Sequence, residues 1–245
     1  TTTDLFYRVR AANGAGVSGY SNEAMVTESV QRRLAAGDAH SLLTGSDRSL
    51  WVWGSNQYGQ LGDGTTTDRS RLTQVLTGVA TLDGGRNHTL ALKTDGSLWA
   101  WGSNQYGQLG NGTTTDRSTP IQVLTGVVNL AAGGLHTLAL KADGSLLAWG
   151  YNGSGQLGDG TTTNRATPIQ VLTGVVAMAG GNTYTLALKT DGSLWAWGSN
   201  GSGQLGDGTT TNRATPIQVL TGVLAMAAGD MHTLVLKTDG SLWAW

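Results

Sequence analysis

The chain has 245 residues, of which 38 are glycine, nine are tryptophan and none is cysteine. The absence of cysteine excludes disulfide staples, zinc ribbons and thiol catalysis, and the formal net charge of −1 offers no electrostatic footprint for nucleic acid or an anionic membrane. Because the sequence contains no run of about 18 consecutive apolar residues, we also expect no membrane insertion.

The first predicted elements lie in residues 1–27. The run FYRVRAAN from Phe6 to Asn13, followed by small and polar residues up to Ser21, resembles the last two strands of a fibronectin type III domain. The resemblance implies the C-terminal end of such a domain in this segment. Residues 28–36 are then the expected linker to the rest of the chain.

A repeat of 48 residues organises the remainder of the chain. Its markers are Trp53, Trp101, Trp149, Trp197 and Trp245, His40, His88, His136 and His232, and Pro120, Pro168 and Pro216. Tyr184 stands in place of a fifth histidine, and Leu72 stands where the first copy would have proline. The full units are 37–84, 85–132, 133–180 and 181–228, and a partial unit follows at 229–245.

Each unit predicts four short strands and no helix. In the second unit the strands are expected at 89–94, 97–101, 120–124 and 127–132. The first two flank Asp95 and Gly96, the dipeptide typical of a two-residue type I′ hairpin. The glycine-rich and threonine-rich residues 102–119 predict a long loop. Four strands for every 48 residues indicate a β-propeller blade.

The motifs of the unit resemble the RCC1 repeat. The patterns G-x-x-H-T, D-G and W-G-x-N-x-x-G-Q-L-G recur with the proline at constant offsets through residues 37–245. The resemblance implies an all-β fold of RCC1-like β-propeller blades, in a family whose propellers usually have seven. Four full units and a partial fifth do not close such a ring. We therefore expect an incomplete propeller that belongs to a longer protein.

The periodic histidines suggest chemistry that the pattern itself argues against. Histidine is a common metal ligand, but Tyr184 interrupts the series without a replacement ligand. We therefore expect the histidines to bond backbone groups and stabilise the fold. A hydrolytic triad of His88, Asp95 and Ser97 is excluded because the hairpin separates the first two by about 20 Å. We predict no enzyme activity, no cofactor and no metal.

Paired tryptophans such as Trp99 and Trp101 lie on one side of a strand, which predicts packing between adjacent blades. One plant branch of the RCC1 family senses ultraviolet light through tryptophans in the G-x-x-H-T turn. Those turn positions hold no tryptophan in this chain, so photoreception is not expected.

The loop of residues 62–68 has oxygen donors that suit calcium. Related pairs recur in the other copies at Asn111 and Asp116, at Asp159 and Asn164, and at Asp207 and Asn212. The same residue types also close loops on their own backbone. The sequence leaves both interpretations open.

Differences between the copies show where the loops are free to vary. They concentrate in the two residues before each histidine or Tyr184, and in the loop that contains Tyr58 or Tyr106. Propeller symmetry predicts that these positions share one rim, and their mixture of charged, amide and apolar groups suits a protein interface. The predicted partner-binding residues are Arg86, Asn87, Leu135, Asn182, Thr183, Asp230, Met231, Tyr58 and Tyr106.

We accordingly predict a non-enzymatic protein-binding or adhesion module of a larger secreted or cell-surface bacterial protein, with a protein or a surface glycan as its partner. The fibronectin resemblance motivates the extracellular location. One alternative is a regulator of an intracellular GTPase or enzyme, as several family members are. The family's exchange members use a protruding insertion, which these equal-length units lack. A second alternative is an architectural spacer with neutral loop differences.

Overall fold

The computed structural model describes four short strands near the N-terminus and all of residues 33–245. The chain divides into two compact units, Thr1–Arg32 and Arg33–Trp245. The strands of the first unit are β1 (Leu5–Tyr7), β2 (Ala12–Asn13), β3 (Gly16–Val17) and β4 (Ala24–Val26). Strand β1 pairs with β4, and β2 pairs with β3, both antiparallel. The fibronectin type III assignment of this segment stays a prediction.

The second unit is a series of antiparallel sheets in which strands adjacent in sequence are also adjacent in the sheet. The first sheet contains β5 (Leu34–Ala36), β6 (His40–Thr44), β7 (Leu50–Gly54) and β8 (Arg69–Leu76), and the second β9 (Val79–Gly84), β10 (His88–Lys93), β11 (Leu98–Gly102) and β12 (Arg117–Leu124). The third contains β13 (Val127–Ala132), β14 (His136–Lys141), β15 (Leu146–Gly150) and β16 (Arg165–Leu172). The fourth contains β17 (Val175–Gly180), β18 (Tyr184–Lys189), β19 (Leu194–Gly198) and β20 (Arg213–Leu220), and the fifth β21 (Val223–Ala228), β22 (Thr233–Lys237) and β23 (Leu242–Ala244).

These sheets are the blades of an incomplete β-propeller, as predicted. The residues that the structure describes contain strands and turns but no helix, and hence no helix able to span a membrane. The C-terminal ends of the first strands of all five sheets line a common cavity. These strands therefore lie around one axis. The fourth strands form the outer edges of the first four blades.

The blade boundaries differ from the predicted units. We expected residues 120–124 and 127–132 in one blade, but β12 closes the second sheet and β13 opens the third. The connection crosses to the next blade, where Val127 N–H donates to Gly96 O of the preceding hairpin at 3.0 Å. Each blade therefore takes its first strand from the end of the preceding sequence unit. For the same reason the first blade begins with β5, inside the segment predicted as a linker.

The outer strands are also longer than expected, because each begins at an arginine within the predicted loop. Strand β12 starts at Arg117, which pairs with Gly102 beyond an irregular step in the ladder. The predicted loop of residues 102–119 is correspondingly shorter.

The hairpin of each blade closes through three residues rather than two. Lys93 N–H donates to Ser97 O at 2.9 Å, and Gly96 N–H donates to Lys93 O at 3.0 Å. Gly96 has a φ of +78°, whereas Asp95 is not among the residues with positive φ. A type I′ turn needs positive φ at both central positions, so the predicted turn type is wrong. A type I turn followed by a left-handed glycine accounts for the loop.

The hydrophobic core lies between blades. One cluster joins Leu42 and Leu50 of the first blade to Ala91 and Trp101 of the second. Trp101 and its counterparts Trp149 and Trp197 are completely buried. The predicted packing of tryptophan between adjacent blades is confirmed at these positions, and burial of aromatic area is its main source of stability.

Candidate partner-binding surface at the propeller axis

The periodic histidines connect each blade to the next. His40 Nε2 lies 2.9 Å from Thr89 Oγ1 of the second blade. The Thr89 hydroxyl donates in turn to Gln60 O at 2.7 Å, so the imidazole must donate through Nε2. His88 and His136 repeat the contact with Thr137 and Thr185, at 3.1 and 2.9 Å. The prediction that the histidines bond backbone groups is therefore wrong for these three residues, because each bonds a threonine hydroxyl.

Burial keeps these imidazoles neutral. It lowers the pKa of His88 to about 3 and the pKa of His40 and His136 to about 4. The rings pack so closely on glycine that a Cβ added to Gly85 would lie 2.1 Å from His88 Cε1. The histidine and the first glycine of the G-x-x-H-T motif thus have a structural role.

The imagined hydrolytic triad does not assemble. His88 faces Thr137 of the next blade. Asp95 and Ser97 lie beyond the far end of β10 and bond each other, with Ser97 Oγ donating to Asp95 Oδ1 at 2.6 Å. The Ser97 hydroxyl also accepts the indole N–H of Trp99 at 2.9 Å. No histidine is within reach to activate this serine.

The aspartate and threonine loops use their oxygens internally. Asp63 Oδ1 accepts the Thr65 hydroxyl at 2.7 Å and the Asn56 side-chain amide at 3.1 Å. Asp63 Oδ2 lies 2.6 Å from Arg69 Nη2. Burial raises the pKa of Asp63, but hydrogen bonds from Thr65 and Arg69 outweigh it and hold that pKa below its usual value. These contacts favour loop closure over calcium binding, and residues 33–245 contain no group of three or more acidic, histidine or cysteine side chains placed for a metal.

A cavity of about 490 Å³ opens at the axis, where the first strands of the five sheets end. Glycine and alanine form most of its wall because the strands crowd together, and a Cβ on Gly84 would lie 2.6 Å from Gly37 N. Its polar side chains belong to Asp38, Arg86, Asn182 and Asp230. These four occupy one position of the repeat, at which the third blade has Gly134. The blades therefore contribute two aspartates, an arginine, an asparagine and a glycine to the same opening.

The charges at this opening are only partly compensated. Arg86 Nε donates to Asp38 Oδ2 at 3.0 Å, with 51% and 59% of the two side chains exposed. An ion pair this exposed adds little to stability and is easily exchanged for another partner. Asp230 and Asn182 complete the opening on other blades, and Asp230 is exposed.

The structure brings three of the predicted rim residues together at the cavity, namely Arg86, Asn182 and Asp230. Asn87, Leu135 and Thr183 are half-buried beside it, and their carbonyls accept N–H groups from the loops that follow β11, β15 and β19. They contribute mainly backbone to this end of the propeller.

The remaining predicted residues lie at the same end of the blades. Met231 is 55% exposed, and its Sδ lies 3.9 Å from Ser202 Oγ of the preceding blade. Tyr58 and Tyr106 hold the position of Ser202 in their own blades. Tyr58 is 42% exposed and Tyr106 is half-buried.

Sequence reasoning missed two residues of this surface. Asp38 pairs with Arg86, and its position in the 48-residue step was the available signal. Tyr151 contacts Tyr106, with ring centroids 4.9 Å apart and planes tilted by 56°. Serine occupies the position of Tyr151 in the other three full copies. This difference between copies was a signal in the sequence that could have identified Tyr151.

Family models match most of the chain. The model for the regulator of chromosome condensation (RCC1) repeat matches residues 47–92, 95–140, 143–188 and 191–236. A second model of the same description matches residues 32–60, 79–108, 127–156 and 175–204. No curated protein sequence matches the chain.

Solved structures share the fold. Human WBSCR16 has a TM-score of 0.76 and 26% identity, over 88% of this chain and 60% of that protein. Yeast RCC1 (Prp20) bound to Kap60 has a TM-score of 0.74 and 27% identity, over 86% of this chain and 54% of that protein. Prp20p from Saccharomyces cerevisiae, described with its binding properties to Gsp1p and histones, has a TM-score of 0.76 at 20% identity, covers 95% of this chain and supports the fold alone. The chain spans 54% to 64% of the length of these three structures. By its four matched repeats, the chain belongs to the RCC1 repeat family.

Proposed function

We propose that residues 33–245 form a non-enzymatic protein-binding module that contacts its partner through the axial end of the propeller. One observation carries the proposal: at a single repeat position, five blades place two aspartates, an arginine, an asparagine and a glycine around a glycine-lined cavity of about 490 Å³. A purely structural turn does not require charged and amide side chains at this position. Proteins recognise partners through varied loop residues on a rigid scaffold.

We further propose that the module serves adhesion in a secreted or cell-surface bacterial protein and binds a protein or a surface glycan. The fibronectin type III resemblance of residues 1–27 motivates this location. Surface labelling of intact cells of the source organism, followed by detection of the protein, tests it. Protection from the label in intact cells but not in lysed cells would place the protein inside.

The alternative is a regulator of an intracellular GTPase or other enzyme. It is favoured by the similarity to yeast RCC1 (Prp20), whose solved structures concern Kap60, Gsp1p and histones. Release of a fluorescent guanine nucleotide from small GTPases of the source organism, with and without the protein, tests this role. Acceleration that the rim substitutions below remove would favour it over adhesion.

The test of the axial surface compares two sets of substitutions in the full-length protein. One set changes Arg86, Asn182 and Asp230 to alanine, and the matched set changes Lys93 and Lys189 to alanine at the hairpin end of the blades. We expect the first set to reduce capture of the partner at least tenfold with unchanged thermal unfolding, and the second set to leave capture intact. Capture that the first set leaves unchanged would contradict binding at the axial end, and failure of the native protein to capture any partner would favour the architectural spacer.

A further inference from the structure

The outer strand of the first blade lacks a proline that the other outer strands share. A proline occupies one position in β12, β16 and β20, whereas β8 has Leu72 there. Proline at a sheet edge removes a backbone donor and discourages pairing with another chain. Leu72 restores that donor and is 53% exposed.

The ladder between β7 and β8 does not pair Leu72, because the register shifts between the pairs Val52–Thr73 and Gly54–Arg69. Strand β12 pairs with β11 through Gln122 and Ile121, and β8 pairs with β7 in the same register through Gln74 and Thr73. Since β12 keeps this register with a proline at the preceding residue, the ladder does not need an N–H at that position. The Leu72 N–H is therefore a spare donor at the open edge of β8.

A groove runs beside this edge. Its cavity of about 510 Å³ is lined by Arg69 and residues 73–75 of β8, by residues 62–64, and by Thr119 and Pro120 of the second blade. An extended peptide that pairs with β8 would find side-chain space in this groove, as β-strand addition requires.

The edge also carries a charge that the other blades lack. Arg71 holds the position that threonine holds in β12, β16 and β20. Arg69 is committed to Asp63 at 2.6 Å, but Arg71 is exposed and forms no ion pair with any residue in the described part of the chain. A carboxylate on the incoming strand would complement it.

We propose that the edge of β8 binds an extended, acidic peptide segment of a partner protein as an added strand, with a carboxylate beside Arg71. This surface is separate from the axial end. A second copy of the chain fits less well, because antiparallel pairing of two β8 strands through Leu72 would bring two Arg71 side chains to diagonal positions on one face.

The other blades supply the variants for the test. Leu72→Pro and Arg71→Thr each install the residue that three blades already hold at that position, so both variants should fold. The probe is a fluorescein-labelled synthetic peptide of alternating valine and glutamate, with a valine and lysine peptide as the charge control. Fluorescence anisotropy measures binding to the full chain.

We expect the acidic peptide to bind the native chain, to bind the Leu72→Pro variant at least tenfold more weakly, and to lose its advantage over the lysine peptide in the Arg71→Thr variant. The alanine substitutions at the axial end should leave this binding unchanged. Failure of the acidic peptide to bind, or equal binding by the Leu72→Pro variant, would overturn the proposal. So would a Leu72→Pro variant that loses only self-association in sedimentation velocity, because the occupant would then be a second copy.

Discussion

Four groups form the contact that holds adjacent blades together. His40 donates to the Thr89 hydroxyl, and both that hydroxyl and the Trp101 indole N–H donate to the carbonyl of Gln60, at 2.7 and 2.9 Å. Both lone pairs of the carbonyl are used in a site from which water is excluded, where hydrogen bonds are strong and unpaired groups are costly. Motif residues that looked chemically active are thereby assigned to the joint between blades.

Acid should weaken these joints. Burial lowers the pKa of His40, His88 and His136 to about 4, 3 and 4, from 6.5. Because the folded pKa lies below the unfolded one, the stabilisation is complete above pH 6.5 and is lost as the pH falls toward 4. As the pH falls from 6.5 to 4.5, each of these histidines should lower the free energy of unfolding by roughly 2 to 3 kcal/mol. Urea unfolding across this range measures the loss.

The chain offers a control that does not titrate in this range. Tyr184 holds the histidine position in the fourth blade, and its hydroxyl donates to His232 O of the fifth. We expect His136→Tyr to fold and to lose less stability than the native chain over the same interval. Identical pH slopes for the two proteins would show that the buried imidazoles do not govern the acid response.

Backbone strain is concentrated at Arg48, whose φ of 63° is in the left-handed region. The other blades have glycine at this hairpin position, as at Gly96 with a φ of 78°. The left-handed conformation costs an L-residue about 1 to 2 kcal/mol. Replacement by glycine recovers only part of this cost, because glycine loses more backbone entropy on folding. We expect Arg48→Gly to stabilise the chain by about 0.5 to 1 kcal/mol in urea unfolding, and Gly96→Arg to destabilise it by a similar amount. Destabilisation by Arg48→Gly would mean that its side chain matters more than its backbone.

At the scale of the element, the loop before each outer strand is built around one buried asparagine. Asn104 is fully buried, and its amide group donates to Thr113 O and Thr115 O at 3.0 Å each while its carbonyl accepts Leu109 N–H at 2.9 Å. A side chain thus replaces the backbone ladder that this loop lacks. These hydrogen bonds hold the loop together from within.

The second blade lacks one bond of this loop. Asp63, Asp159 and Asp207 each pair with an arginine at the start of the outer strand, at 2.6, 2.7 and 2.6 Å. Asn111 takes that place beside Arg117. We expect Asn111→Asp to raise the free energy of unfolding, because it gives Arg117 the carboxylate partner that the other blades have. The gain should be only about 0.5 to 1 kcal/mol, since Arg117 is exposed. The gain should disappear in an Arg117→Ala background and shrink in 1 M salt; a gain independent of Arg117 would contradict the ion-pair explanation.

How far the sequence could predict these elements depends on where each residue's partner lies. The hairpin of β10 and β11 follows from alternation and a nearby turn, so its place was predictable. The Thr89 partner of His40 lies 49 residues away in another sheet, and no local pattern identifies it. The same difficulty put the blade boundary in the wrong place, because Thr125 and Gly126 are as suited to a hairpin as to a crossing between blades. The placing of Arg86, Asn182 and Asp230 at one end of the propeller was predictable, because it depends on periodicity alone.

At the scale of the whole molecule, each of the first four blades packs against the blade that follows it, whereas no blade follows the fifth sheet in the part of the chain that the structure describes. Asp83 shows how a single blade can depart from the pattern. It occupies an alanine position of the first strands, and its Oδ2 accepts Ala132 N–H of the third blade at 2.9 Å. Burial raises its pKa. Asp83 thus adds a hydrogen bond between the second and third blades that the alanines of the other first strands cannot form.

The face of the fifth sheet should make the 245-residue chain self-associate. Leu242 is 71% exposed and Trp243 47%, whereas Leu98, at the position of Leu242 in the second blade, is completely buried. His232, whose counterparts contact the following blade, is also exposed. Exposed apolar surface of this kind drives association. We expect sedimentation velocity to show concentration-dependent oligomers at micromolar concentration. Leu242→Glu should shift the distribution toward monomer, whereas Leu72→Pro at the distant β8 edge should not. A native chain that stays monomeric to about 100 μM would show that the apolar face of the fifth sheet is too small to drive association.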